Sequence, residues 1–169
     1  MAIEFVEVKT KEQKQMLAKI ANDIWNEYWP ALIGQAQTDY MVENFQSLKA
    51  IERDMANNNY EYWLLRNGEG EIVGYTGGHN EAETNRFFIS KIYLYKQQRG
   101  KHYAGEVINF YTELCKARNL SAMYLTVNKQ NELGIRAYKG KGFSVIDSVE
   151  TSIGSGFIMD DYIMERKVS

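Results

Sequence analysis

Apolar positions follow two different periods along this chain, and the change of period organises it. Met16, Leu17, Ile20, Ala21, Ile24, Trp25 and Tyr28 recur every three or four residues, which predicts an amphipathic helix. Thr10 with Gln13 three residues on has the pattern of a capping box at its start. Pro30 marks its end, because proline lacks an amide hydrogen and disfavours helical geometry at Trp29. A short strand, IEFVEV, precedes this helix, and a second helical stretch is predicted over about 38–55, broken near Gln46 and Ser47.

The grammar then turns to strands. YEYWLLR and IVGYTGG are joined by the turn NGEGE. A polar loop, HNEAETN, leads to RFFISKIYLY, which is apolar on both faces, as a central strand sandwiched by helices requires. A helix follows with Val107, Ile108, Tyr111, Leu114 and Cys115 on one stripe. After it come the strand AMYLTV, a short helix over about 131–139, the strand FSVIDSVE, the turn IGSG and the strand FIMDDYIMER. This order predicts a mixed sheet with helices on both faces, an α/β (α+β) layered fold. No linker, repeat or low-complexity segment interrupts it, so a single domain is expected over residues 1–169.

Composition narrows the function. The 169 residues are 44% hydrophobic and 25% charged, which excludes a disordered chain. Twenty-two acidic against 20 basic residues leave a net charge of -2, no electrostatic case for nucleic acid. Cys115 has no second cysteine to pair with, so a reducing, cytoplasmic setting is expected. No run of 18 apolar residues occurs and the start MAIEFVEVKTKEQK lacks a signal-peptide core, so no membrane association is expected. With His79 and His102 the two histidines and no metal-ligand spacing, no metal is expected. The chain has no P-loop, and IGSGF lacks the nucleophile-elbow pattern and reads as a hairpin turn. Cys115, on the helix stripe, reads as a small buried hydrophobe.

The stretch KIYLYKQQRGKHYAGEVINFY concentrates the remaining chemistry. A buried strand leads into Arg99, Gly100, Lys101, His102, Tyr103, Ala104 and Gly105, and the chain goes straight on into an amphipathic helix. The first amides of a helix lack internal partners and stand at the positive end of its dipole, a cradle for phosphate or diphosphate. Arg99 and Lys101 add charge and Gly100 permits close approach. A plain strand-to-helix turn carrying two solvated cations is the alternative reading of these residues.

This segment resembles the acyl-CoA diphosphate loop of the GNAT acetyltransferase superfamily, Q/R-x-x-G-x-G/A, with Gln97 and Gly100 matching and His102 in place of the small residue. Downstream, VNKQNELGIRAYKGKGF resembles the signature N-x-x-A-x-x-x-Y-x-x-x-G-F through Asn131, Tyr138, Gly142 and Phe143, with Gly134 replacing alanine. A glycine within a helix costs roughly 1 kcal/mol relative to alanine, so that helix is expected to be weakened. The resemblance implies a mostly antiparallel sheet of six or seven strands and an acetyl-CoA-dependent N-acetyltransferase. The stretch Ile92, Tyr93 and Leu94 would lie along the cofactor, with an amide near Tyr93 or Leu94 supporting the oxyanion. Arg99 to Gly105 would hold the diphosphate, Asn131 would steady the cofactor, and Tyr138 would protonate the departing thiolate.

The acceptor is less defined. Trp25, Tyr28, Trp29 and Tyr40 fall where the family forms one wall of its acceptor pocket; Trp29 and Tyr40 are the substrate-binding candidates, and Trp25 reads as core. Asp160 and Asp161 offer negative charge to a cationic acceptor, although strand alternation turns one of them to solvent. His79, Glu81 and Glu83 lie near the approach of family substrates but read as solvated, and no general base is assigned. The layout resembles bacterial polyamine-type members, implying a small-molecule amine acceptor and, by the superfamily's habit, a homodimer. A peptide N-acetyltransferase and a non-catalytic acyl-CoA sensor are the alternatives.

Overall fold

Thr10 sets the first helix as its spacing predicts. In the computed structural model, which describes residues 3–168, its side chain accepts from the Gln13 amide at 3.1 Å while Gln13 Oε1 accepts from the Thr10 amide at 2.9 Å. The capping box is complete. Met1, Ala2 and Ser169, the ends of the expected domain, lie outside the described residues. Strand β1 (Glu4–Glu7) precedes α1 (Lys11–Tyr28), which ends on Trp29 before Pro30. Pro30 opens the one-turn α2 (Pro30–Ile33) at N1, where its missing amide hydrogen costs nothing. The predicted second helical stretch is α3 (Gln35–Met41), a π-turn (Val42–Gln46) and α4 (Leu48–Asn57). Its break falls at the predicted place, because the Ser47 side chain accepts from the Ala50 amide at 3.2 Å and restarts the helix.

The remaining elements are β2 (Glu61–Arg66), β3 (Ile72–Glu81), β4 (Arg86–Leu94), α5 (Tyr103–Ala117), β5 (Ala122–Asn128), α6 (Glu132–Gly140), β6 (Ser144–Gly154) and β7 (Phe157–Lys167). Seven strands pair in the order β1-β2-β3-β4-β5-β7-β6. β4 and β5 are parallel, joined through α5 as such a pair requires, whereas β1/β2, β2/β3, β5/β7 and β6/β7 are antiparallel. The sheet is mixed and mostly antiparallel, as expected.

Three local expectations change. His79, Asn80 and Glu81 belong to β3, leaving a turn where a longer loop is predicted. β4 is not buried evenly on both faces: Phe87, Ile89 and Lys91 are buried, whereas Phe88, Ser90 and Ile92 are half-buried. That second face carries Arg86, paired with Glu165 at 2.8 Å and stacked 4.1 Å from the Tyr124 ring, so it keeps polar groups near solvent. β6 runs four residues beyond its predicted end, to Gly154. Ser155 (φ 53°) and Gly156 (φ 79°) then make the two-residue turn, both left-handed as a type I′ hairpin requires.

The chain divides into two compact units, with boundaries after His79, Ser90 and Tyr103. The first holds everything up to His79 together with Lys91–Tyr103; the second holds Asn80–Ser90 and everything from Ala104. In the first, Leu17, Ile20 and Ile24 of α1 and Ile51 of α4 pack with Tyr62, Leu64 and Tyr75 of β2 and β3. In the second, Val107, Ile108, Tyr111 and Cys115 of α5 are fully buried, with the Tyr111 ring 5.0 Å from Phe87. Burial pushes the Cys115 thiol up to about 11, the behaviour of an inert core cysteine.

Candidate active site

In the first unit the interest lies where β4 ends. A Cβ on Gly74 would run into the Tyr93 carbonyl oxygen and Leu94 Cα, so β3 backbone lies directly against this stretch, and the Tyr95 amide donates to Val73 O at 3.0 Å. Lys96–Gln98 make one 3₁₀ turn; Gly100 (φ 78°) and His102 (φ 65°) are left-handed, and α5 begins at Tyr103. The pattern's small residue at position 102 thus has a backbone reason: histidine in this conformation costs about 1 kcal/mol that glycine avoids. Among the described residues none accepts a hydrogen bond from the amides of Gly100, Lys101 or His102.

The same loop is strapped to α1. The Lys96 amide donates to Glu27 Oε2 at 3.0 Å, and the Arg99 guanidinium lies 4.5 Å from the Tyr28 ring while donating to Leu94 O at 3.4 Å. Arg99 is therefore folded back along the loop, whereas Lys101 stays exposed, its Nζ 3.2 Å from Gln98 Oε1. Trp25 is core, as its stripe predicts: its Nε1 donates to the Tyr75 hydroxyl at 3.0 Å, which donates to Gln46 Oε1 at 2.9 Å, and its ring lies 5.3 Å from Tyr93. Trp29 is buried too, its ring 5.2 Å from Trp25 and 5.1 Å from Tyr28, with an indole N–H that finds no acceptor among the described residues. Tyr40 is half-buried on α3, its carbonyl accepting from Asn44 Nδ2 at 2.8 Å.

In the second unit the later signature has a plain structural reading. Asn131 caps α6, its Oδ1 accepting from the Gly134 amide at 3.0 Å. A Cβ on Gly134 would lie 2.6 Å from Asn131 Nδ2, so the cap occupies the space an alanine methyl would need. At the other end, the Phe143 and Gly142 amides donate to Tyr138 O at 3.0 Å and Lys139 O at 3.1 Å, with Gly142 left-handed at φ 92°. This is a Schellman cap, and its usual apolar contact is the Tyr138–Phe143 ring pair at 5.9 Å. The spacing Y-x-x-x-G-F is what such a cap demands, and it fixes the base of the Tyr138 side chain. The Tyr138 hydroxyl has no hydrogen-bond partner among the described residues, and burial pushes it up to about 12.

Ala104 and Gly105, in the first turn of α5, belong to the same unit. A Cβ on Gly105 would meet Lys141 Cε at 2.6 Å and Nζ at 2.8 Å, so the Lys141 ammonium rests on the start of the helix. A cation there opposes the helix dipole, an arrangement an anion at the same place would relieve.

The acidic candidates separate. Glu81 is taken by the Tyr124 hydroxyl, by Thr84 Oγ1 at 2.7 Å and by Arg86 at 3.6 Å, whereas Glu83 is exposed. The His79 ring lies 5.0 Å from Tyr60. Of the paired aspartates, Asp160 pairs with Lys129 at 2.8 Å and is half-exposed; Asp161 is buried, and desolvation and then Asp160 push its carboxyl up to about 6. Two polar residues were not singled out by motif. Lys91 reveals itself only by its inward parity with Phe87 and Ile89, and Lys141 carries no periodic signal at all.

The model of the acetyltransferase (GNAT) family matches residues 21–143 of the 169. The chain belongs to the GNAT acetyltransferase family. This makes it an acetyl-CoA-dependent N-acetyltransferase, the assignment the two signatures imply. Solved structures agree in fold. PaiA N-acetyltransferase from Thermoplasma acidophilum, in complex with coenzyme A, is 19% identical with a TM-score of 0.77, covering 99% of each chain. A GNAT-family acetyltransferase from Staphylococcus aureus is 20% identical with a TM-score of 0.70, over 99% of this acetyltransferase and 100% of that chain. A chimera of spermidine N-acetyltransferase SpeG from Vibrio cholerae and hSSAT is 15% identical with a TM-score of 0.70, over 99% and 96%. A search of curated protein sequences found no significant match.

Proposed function

We propose that this acetyltransferase is a single catalytic domain that moves the acetyl group of acetyl-CoA directly to the primary amine of a small molecule. The observation that carries the reading is the strand-to-helix junction: left-handed Gly100 and His102, unpartnered amides on Gly100, Lys101 and His102, and the start of a 15-residue helix. Main-chain N–H groups from Arg99 to Gly105 hold the diphosphate, with Lys101 and Lys141 adding charge. The Lys141 ammonium against Gly105 supports an anion at this place. The coenzyme A in the Thermoplasma relative supports the same cofactor here. Ile92, Tyr93 and Leu94 line the thioester arm, a main-chain amide of Tyr93 or Leu94 stabilises the oxyanion, and Asn131 steadies the cofactor beside its capping role.

In the reaction a neutral amine attacks the thioester carbonyl carbon, the C–S bond breaks, and coenzyme A leaves as a thiolate. The nitrogen gives up one proton and the sulfur gains one, leaving amide and thiol. Tyr138 supplies the sulfur's proton and is restored from the proton the nitrogen releases. With its hydroxyl pushed to about 12, Tyr138 stays protonated throughout the neutral range. Full transfer to a thiolate of conjugate-acid pKa near 8.5 is uphill by about 5 kcal/mol. That fits within a barrier of about 16 kcal/mol, the value for turnover near 10 per second.

Trp29 and Tyr40 belong to the acceptor side, Trp29 as a buried wall. The spermidine N-acetyltransferase among the structural relatives supports a small, amine-bearing acceptor. A cytoplasmic location fits the buried, unpaired Cys115, and a homodimer is the expected assembly. Free-thiol release from acetyl-CoA, measured with a panel of polyamines, amino acids and N-terminal peptides, tests the reading. Small amines are expected to turn over, and Tyr138→Phe to lower kcat by about 100-fold. A preference for peptides would overturn the small-molecule acceptor, and an unchanged rate in Tyr138→Phe would remove the tyrosine from the reaction.

A further inference from the structure

A π-turn breaks the regular helical ladder, so its carbonyls need other donors. Over Val42–Gln46 three successive carbonyls find them in side chains: Glu43 O accepts from Ser47 Oγ at 2.8 Å, Asn44 O from Arg53 Nη2 at 3.0 Å, and Phe45 O from Lys91 Nζ at 3.1 Å. Ser47 and Arg53 come from the same helical segment, but Lys91 comes from β4. Its Nζ also donates to the Tyr62 hydroxyl at 2.8 Å and lies 4.9 Å and 5.5 Å from the Tyr62 and Tyr60 rings. Room for the Tyr62 ring comes from Gly77, where a Cβ would sit 2.5 Å from the ring. Thr76 Oγ1 in turn donates to Lys91 O, and Tyr75 holds Gln46, the last residue of the turn. The turn is thus fastened to the sheet at Phe45 and Gln46.

Burying an ammonium is costly, and packing alone does not ask for one here: methionine would fill the same volume. The fastened turn continues into the acceptor side proposed above, since Asn44, within it, donates to the carbonyl of Tyr40.

We propose that Lys91 is a positioning residue for the amine acceptor: its buried ammonium holds the Val42–Gln46 turn, and with it the α3 segment bearing Tyr40, against β4. This rests on the acceptor side assigned under the proposed function, and it separates the two substrates. The diphosphate loop has its own supports in Glu27, Tyr28 and the Gly105 contact, none of which involves Lys91.

The test compares the full-length wild type with Lys91→Met and Lys91→Arg, measuring KM for the best amine and, by calorimetry, Kd for acetyl-CoA. In Lys91→Met the amine KM is expected to rise about tenfold, the loss of a charge-assisted hydrogen bond, with acetyl-CoA Kd changed less than about twofold. Lys91→Arg, which keeps the charge and both donors, should recover most of the loss. Should Lys91→Met fail to fold, Tyr62→Phe removes one of the two anchors and should raise the amine KM in the same direction, by less. An unchanged amine KM, or an equal weakening of amine and acetyl-CoA, would overturn the proposal. A wild type that fails to bind acetyl-CoA or to acetylate any amine counts instead against the proposed function. Hydrogen exchange then decides the role of Lys91: faster exchange at Val42–Gln46 in Lys91→Met upholds its hold on the turn, and unchanged exchange overturns it.

Discussion

Half-buried Tyr138 and buried Asp161 and Lys91 define what single titratable residues contribute. Tyr138, held near 12 by burial, should leave no alkaline limb in the kcat profile below about pH 11. A loss of activity centred near pH 9 that disappears in Tyr138→Phe would contradict that. Asp161 is raised from 3.8 to about 6, so its folded state favours the neutral acid. Its stabilising contribution is complete below pH 4 and fades as pH rises through 6. Asp161→Asn should therefore gain little at pH 4.5 and about 1 kcal/mol at pH 7.5 in denaturant titrations, allowing for the solvent that reaches the carboxyl. Lys91 has the opposite charge and the opposite sign. It is lowered from 10.5 to about 8, so the buried cation burdens the fold below pH 8 and stability from this group rises between pH 8 and 10.5. Comparing Lys91→Met with the wild type across that range by thermal melts should remove the rise.

At the scale of elements, much of the layout is legible in the sequence, because capping and periodicity are local. Thr10–Gln13, Pro30 and Ser47 announce where helices start or stop, and the structure places each at that role. What is not legible depends on partners distant in sequence. The inward lysine of β4 makes sense only with Phe45 and Tyr62 beside it, and the length of β6 only with β7 to pair. Gly134 shows how a departure from a family pattern is misread. It reads as a weakened helix, yet alanine there would displace the Asn131 cap. Alanine's propensity gain and the lost cap are both about 1 kcal/mol, so Gly134→Ala should change stability by less than about 0.5 kcal/mol. His102→Gly, which relieves a left-handed histidine, should raise the melting temperature while leaving acetyl-CoA affinity intact or improved. A drop in melting temperature would mean that the imidazole contributes packing of its own.

For the whole molecule, the family signatures are readable as physical devices. The N-terminal part of the later signature is a helix cap and its C-terminal part a Schellman stop, so both halves stabilise the fold even without catalysis. The proposed diphosphate loop has no comparable structural excuse, since left-handed His102 and a cation resting on a helix start both carry a cost in the free protein. Ligand binding there should be visible as stabilisation, about 2.7 kcal/mol at 100 times Kd. Calorimetric titration with acetyl-CoA, set beside acetyl-pantetheine, which carries the same thioester but no diphosphate, addresses this most directly. Tight binding of acetyl-CoA with at least 100-fold weaker binding of acetyl-pantetheine is the result predicted; equal affinities, or none for acetyl-CoA, would contradict it.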